Sequence, residues 1–329
     1  MTKSDSVPRM PWWKKWSVVT VVFLLFMGAA AVFPGISRAA VTPSDVYSTY
    51  DLINRILDEM YVHMGMKQPD MLKKFESNIS PMHVFQLSVA TNESLIQLQK
   101  DLKMRPGFEV AAYPMAYVPE DVKRLGDWIL IETIRTAEHM KVDNIPNDRR
   151  YFDKKIPTDV FGLVMDVLVK IRNLTGTGKI SPNEVYGQMV RVVNDVKSIL
   201  RNIDPHQRYR IDVLTSPDGL RPSDVFSECF NIRKDLNQMR ETFGMPVVPV
   251  PENIDMKTIQ PEDVFVQTQI LIAEMNNIKV ATNTMTVTPI AIPVDGKTPS
   301  DVHQQAILAK YLINQVLFVQ DMMKKLEKN

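Results

Sequence analysis

Residues 59–71, EMYVHMGMKQPDM, concentrate the side chains best suited to a soft metal ion. Thioether and imidazole groups favour copper(I). Met60, His63, Met64 and Met66, with Met71 behind them, are therefore the candidate metal ligands. Packing is the competing reading. Met60 and Met64 fall on the apolar stripe of a helix, and a chain with 20 methionines uses many of them as flexible core filler. The five histidines, at 63, 83, 139, 206 and 303, never come within one helical turn of each other, so no local ligand pair exists. His63 and His139 each lie 20 residues after a recurring proline, at helix C-termini where a partly charged imidazole is favoured.

Other chemistries lack a necessary group. Residues 175–180, TGTGKI, resemble a phosphate loop, but Asn173 stands where its first glycine belongs and Ile180 where a magnesium-binding hydroxyl belongs. A helix-to-helix turn is the better reading. Cys229 is the only cysteine, which excludes an internal disulfide and a cysteine pair for zinc. It reads as a small buried apolar residue. Asp45, Asp121, Asp159, Glu184, Asp224, Asp263 and Asp301 all occupy one place in a recurring motif, so none is free to form an acid–base couple. The sequence predicts no catalytic residue, no cofactor and no enzyme.

That motif is a helix start, written eight times. It runs TPSDVY from Thr42, SPMHVF from Ser80, VPEDVK from Val118 and IPTDVF from Ile156. SPNEVY from Ser181, RPSDVF from Arg221, QPEDVF from Gln260 and TPSDVH from Thr298 follow. A Ser or Thr at the N-cap accepts a hydrogen bond from a free backbone N–H. Proline suits N1, where the missing donor costs nothing. An acid at N3 reaches back to the N-cap N–H and faces the positive end of the helix. Val118, Ile156, Arg221 and Gln260 lack the hydroxyl, which predicts weaker starts there, and His83 replaces the acid in the second copy.

The prolines are separated by 38, 38, 38, 25, 40, 39 and 38 residues, a regularity that marks a repeat protein. Downstream of each proline apolar residues recur in steps of three and four, in the fifth and sixth copies at offsets +3, +7, +10, +14, +17 and +21, the seam spacing of helices packed at shallow angles. The fold class expected is all-α: eight tandem helices packed as two four-helix bundles or as one continuous helical array, with long proline-rich connectors. Residues 40–178 would hold repeats one to four, and residues 179–329 repeats five to eight. A connector of about 15 residues reaches about 50 Å, far enough to return along a helix and start the next one parallel. The short connector LTGTGKI (174–180) cannot return, so the fourth and fifth helices should be antiparallel neighbours.

Residues 1–39 read as a signal peptide or a retained N-terminal anchor. The stretch WWKKW precedes an uncharged apolar run, Ser17–Phe33, and Ser37-Arg38-Ala39 offers small residues for cleavage. Three tryptophans beside two lysines suit a membrane interface, so residues 12–33 would engage the inner membrane if uncleaved. The body is then exported, periplasmic or anchored outside the cytoplasm. The whole chain carries a formal charge of +1 with no basic stripe, so nucleic acid is not an expected partner. The function expected is a non-enzymatic cell-envelope scaffold or protein-binding module, its partner another envelope protein or a second copy. The alternative is an extracytoplasmic ligand- or metal-sensing domain, with copper bound through the Met/His cluster.

Overall fold

The computed structural model describes residues 40–69, 78–176, 180–206, 215–252, 254–292 and 294–327. The expected leader at 1–39 and Met71 lie outside these residues. Each repeat proline is the first residue of a helix: α1 (Pro43–Met64), α2 (Pro81–Asp101), α3 (Pro119–His139), α4 (Pro157–Leu174), α5 (Pro182–Ile203), α6 (Pro222–Thr242), α7 (Pro261–Ala281) and α8 (Pro299–Glu327). Among the described residues one 3₁₀ turn, Met256–Thr258, interrupts the connectors, and there is no strand.

The helix starts depend on N3 more than on the N-cap. In all eight, the N-cap backbone N–H donates to the N3 side chain, from 2.7 Å at Thr42–Asp45 and Arg221–Asp224 to 3.1 Å at Val118–Asp121 and Ile156–Asp159. Only the Thr42 and Thr298 hydroxyls accept from the N3 N–H, at 3.4 and 3.3 Å. Starts without a hydroxyl keep the N3 tie common to all eight and lack only the second bond that Thr42 and Thr298 receive. The N-cap must be extended, and a following proline already excludes the helical region for that residue. The seven N-caps of α1–α7 accordingly have φ between −91° and −116°.

Five helices also stop at the same place. Gly65, Lys103, Lys141, Gly244 and Asn283 each stand 22 residues after the proline, with φ between 53° and 69°. The next residue's N–H returns to a carbonyl five positions back, from Met66 N to Tyr61 O at 3.0 Å in α1 and from Met245 N to Arg240 O at 2.7 Å in α6. This is the Schellman closure, whose residue after the left-handed one packs an apolar side chain on the helix. Met66 and Met245 do so against the core.

All four helices of each half point the same way. Pro43, Pro81, Pro119 and Pro157 line one shallow dimple with the valines three residues further on, Val46, Val84, Val122 and Val160. The second half repeats this with Pro182, Pro222, Pro261 and Pro299 over Val185, Val225, Val264 and Val302. The long connectors therefore return along the helices. In the first bundle α1 packs on α3 and α4, and α2 on the same two. In the second, α5 packs on α7 and α8, and α6 on the same two. Around the second bundle a collar links three of the four neighbouring pairs of N-termini. Ile180 N donates to Glu262, Leu220 N to Ser300 and Lys297 N to Asn183, at 3.1, 3.3 and 2.7 Å.

The register is common to all four helices, so residues at one offset form a core layer. At +7 in the first bundle, Tyr50 donates to Ser88 at 2.6 Å across the core. Gly126 fills the same level, and a Cβ there would lie 3.0 Å from the Tyr50 ring. Two small residues accommodate one large one. The second bundle balances its +7 layer differently, with Met189, Cys229, Thr268 and Ala306, all fully buried. Cys229 is core, and burial pushes its thiol up to about 12.

The bundles are copies in detail. Lys155 N donates to Ser44 at 3.0 Å while its Nζ sits 4.4 Å over Tyr47. Lys297 N donates to Asn183 at 2.7 Å, its Nζ 4.6 Å over Tyr186. One expectation needs correction: α4 and α5 run antiparallel but are not packed neighbours. They meet only end to end, through Arg172 and Glu184 at 2.6 Å, because α2 and α7 form the seam between bundles.

Gly126→Val would drive a branched side chain into the Tyr50 ring. Overpacking of this kind costs about 1–3 kcal/mol, read as a lower urea midpoint, and Tyr50→Ala in the same chain should recover part of it. Unchanged stability of Gly126→Val would contradict the shared +7 layer.

Candidate ligand cleft at the seam between the bundles

Two of the eight helices are largely enclosed. In both α2 and α7, 16 of 21 residues are buried, so polar residues that would face water on an ordinary amphipathic helix face the other bundle. The two run antiparallel: Gln86 Nε2 donates to Gln269 Oε1 at 2.9 Å, and His83, near the start of α2, meets Glu274 late in α7. This explains the one departure from an acid at N3. His83 Nδ1 accepts from Ser80 N at 3.1 Å, doing the capping work of a carboxylate. That bond leaves the ring proton on Nε2, 2.6 Å from Glu274 Oε1. An aspartate there would cap equally well but set two buried carboxylates against each other.

Arg240 of α6 pairs with the other oxygen of Glu274. Burial raises the Glu274 carboxyl, but His83 and Arg240 outweigh it and hold it down to about 2. The first bundle has the same contact at the same offsets, with Gln99 Nε2 donating to Glu132 Oε2 at 2.8 Å. A second buried pair, Lys279 with Asp195, staples a connector onto the second bundle. Lys279 Nζ donates to Thr286 O at 2.8 Å and to Thr288 Oγ1 at 3.1 Å, and Thr288 donates on to Asp195 at 2.8 Å. Burial raises Asp195 and lowers Lys279, each opposed by the other's charge.

Where α2 and α4 end against the beginnings of α5 and α7, the seam opens into a cleft of about 320 Å³. The end of α2 contributes Glu93, Gln97 and Lys100, α4 contributes Arg172, and α5 contributes Glu184 and Gln188. Phe265 of α7 and Ile290 and Ala291 of the last connector form the apolar wall. Gly187 lets that connector approach, since a Cβ there would lie 3.1 Å from Ile292 O. Glu184 is fully committed, accepting from Ser181 N at 2.9 Å and from Arg172 Nη2 at 2.6 Å. Arg172 Nε and Glu93 Oε1 are buried with no hydrogen-bond partner. Arg191, behind this wall, donates to Gln188 at 2.9 Å and stands 3.6 Å from Glu93 Oε1, beyond hydrogen-bond reach. Burial raises the Glu93 carboxyl, Arg191 opposes this and Glu109 adds to it.

The sequence-predicted metal ligands are not brought to one surface. Met60 is a fully buried core residue of the +17 layer, whereas His63 and Met64 face solvent. Met64 thus leaves the stripe on which its spacing put it. Met66 is half-buried as the closing residue of α1. His139 ends α3, as its position suggested. In TGTGKI, Gly176 terminates α4 with φ 71°, and residues 177–179 lie outside the described residues. The cleft residues Glu93, Arg172 and Arg191 escaped sequence reading because they belong to repeats far apart in the chain. The one available signal was His83.

A carboxyl held below its ordinary value contributes stability above that value and loses it on acidification. For Glu274, the window runs from about 4.5 down to about 2. Glu274→Gln should flatten the loss of stability across this window in pH-dependent urea unfolding. An acid-unfolding profile identical to wild type would contradict the pairing. Comparison with protein-family models, curated proteins and solved structures finds no match to this chain.

Proposed function

We propose that this protein is a non-enzymatic binding module of the cell envelope, exported and either periplasmic or tethered to the inner membrane. Its two bundles act as a rigid scaffold, and the seam cleft holds a small polar ligand. One observation carries the reading: a carboxylate oxygen of Glu93 and the Nε–H of Arg172 line one cleft, buried and without hydrogen-bond partners. Groups in that condition cost free energy unless something satisfies them. An acceptor and a donor together, beside the Phe265 ring and the Gln97 and Gln188 amides, suit a zwitterion of about amino-acid size. Glu184 is already engaged in capping and pairing, an arrangement for holding a ligand rather than for activating a nucleophile. The export arm rests on residues 1–39 alone.

A protein partner is the second reading. It is favoured by apolar side chains exposed on the connectors, among them Phe108, Met285 and Ile292, which would form a docking surface.

Calorimetric titration of the purified protein with free amino acids, and with monoamines and monocarboxylates of similar size, separates these readings. Zwitterions should bind and singly charged analogues should not. Binding should strengthen as pH rises and Glu93 ionises, in a range above that of an ordinary carboxylate. Glu93→Gln should weaken binding about tenfold or more with the helical spectrum unchanged. Equal binding by wild type and Glu93→Gln, or no binding by any zwitterion, would overturn the cleft reading.

A further inference from the structure

We infer that the N-terminal face of the first bundle rests on the surface of a lipid bilayer containing anionic phospholipid. The inference builds on the export reading above and selects its anchored form.

The parallel arrangement puts four helix starts on one face of each bundle, so the two faces can be compared position by position. The N-caps of α3 and α4 are Val118 and Ile156, 51% and 56% exposed. Their counterparts in the second bundle are Gln260 and Thr298. Neither apolar side chain serves the helix start, because Asp121 and Asp159 cap the backbone. Capping therefore does not account for apolar side chains at these two exposed positions.

A second comparison is independent of hydrophobicity. Three residues before the proline of α4 and of α8 the chain takes a left-handed turn. The second bundle has Gly296 there, with φ 74°, whereas the first has Lys154, with φ 58°. Glycine is the unstrained choice at such a position, although Lys103 and Lys141 adopt the same conformation at the far ends of α2 and α3. Lys154 is exposed and two residues from Ile156, placed for contact with phosphate headgroups. Arg150 and Tyr151 precede it, and Tyr151 is 95% exposed. Exposed apolar residues rimmed by Tyr and Lys/Arg are the composition of an interfacial surface.

The route of the chain supplies the occupant. Thr42, the N-cap of α1, lies on this same face. The uncharged run Ser17–Phe33 ends nine positions earlier, and nine residues span at most about 30 Å. A bilayer holding that run is therefore within reach of the first bundle's N-terminal face.

The test uses the full chain in phosphatidylcholine–phosphatidylglycerol vesicles, a fraction of the lipid carrying a doxyl quencher. Val118→Cys and Gln260→Cys variants each receive an environment-sensitive thiol dye. Native Cys229 stays unlabelled, since it is buried and its thiol is pushed up to about 12. The Val118→Cys dye should be quenched at least twofold more than the Gln260→Cys dye. Equal quenching in vesicle-bound protein would overturn the inference while leaving export intact. Shielding of the Val118→Cys dye by a second copy, seen as dye–dye energy transfer, would also overturn it. Failure of the full chain to float with the vesicles would refute the anchored reading itself, and this inference with it.

Discussion

Four helices pointing the same way put four like ends side by side. Each helix start carries roughly half a positive charge and each end half a negative one, so a parallel bundle concentrates what an antiparallel bundle cancels. The repeat motif answers this directly. Seven of the eight helices place a carboxylate at N3, where it also ties the N-cap N–H. Every helix carries a basic residue in its last turn. Docking the two bundles antiparallel along α2 and α7 then sets opposite ends together. Arg172, at the end of α4, reaches Glu184, at the start of α5, because of that docking.

The length of the unit follows from the same constraint. A parallel successor needs the chain carried back along the helix before it starts again. The Schellman closure after residue +22 fixes where the return begins, and the proline fixes where it ends. The return is packed structure: Thr288 is bound to Asp195 and Lys279, and Asn237 holds both backbone groups of Val248 at 2.8 and 2.9 Å. The one short interval, before Pro182, omits the return and reverses the direction of the second bundle.

The elements were legible because their signals are local. Proline at N1, an acid at N3 and a stripe at +3, +7, +10, +14 and +17 each act within a few turns, and the helices begin where these signals lie. Direction was only partly legible. The long connectors allowed a parallel return, but the common register appears only when Tyr50 meets Ser88 and the prolines meet each other. The metal reading of Met60 to Met66 weighed residue types without their orientation, and core packing and helix closure claim two of the four. The cleft was not legible, because Glu93, Arg172 and Gln188 come together through the seam and through no spacing within a repeat.

Parallel, in-register packing is the claim on which the collar, the core layers and the shared N-terminal face all stand. Distances between spin labels test it in α1 and α3, which pack side by side. Labels at His63 and Glu138 sit near the ends of both helices, whereas a label at Glu120 sits near the start of α3. Glu120 and Glu138 differ by about 27 Å along the axis. Double electron–electron resonance should therefore give a pair distance for 63–138 shorter than that for 63–120 by about 20 Å. The reverse order would mean antiparallel neighbours, and would contradict the account at its foundation.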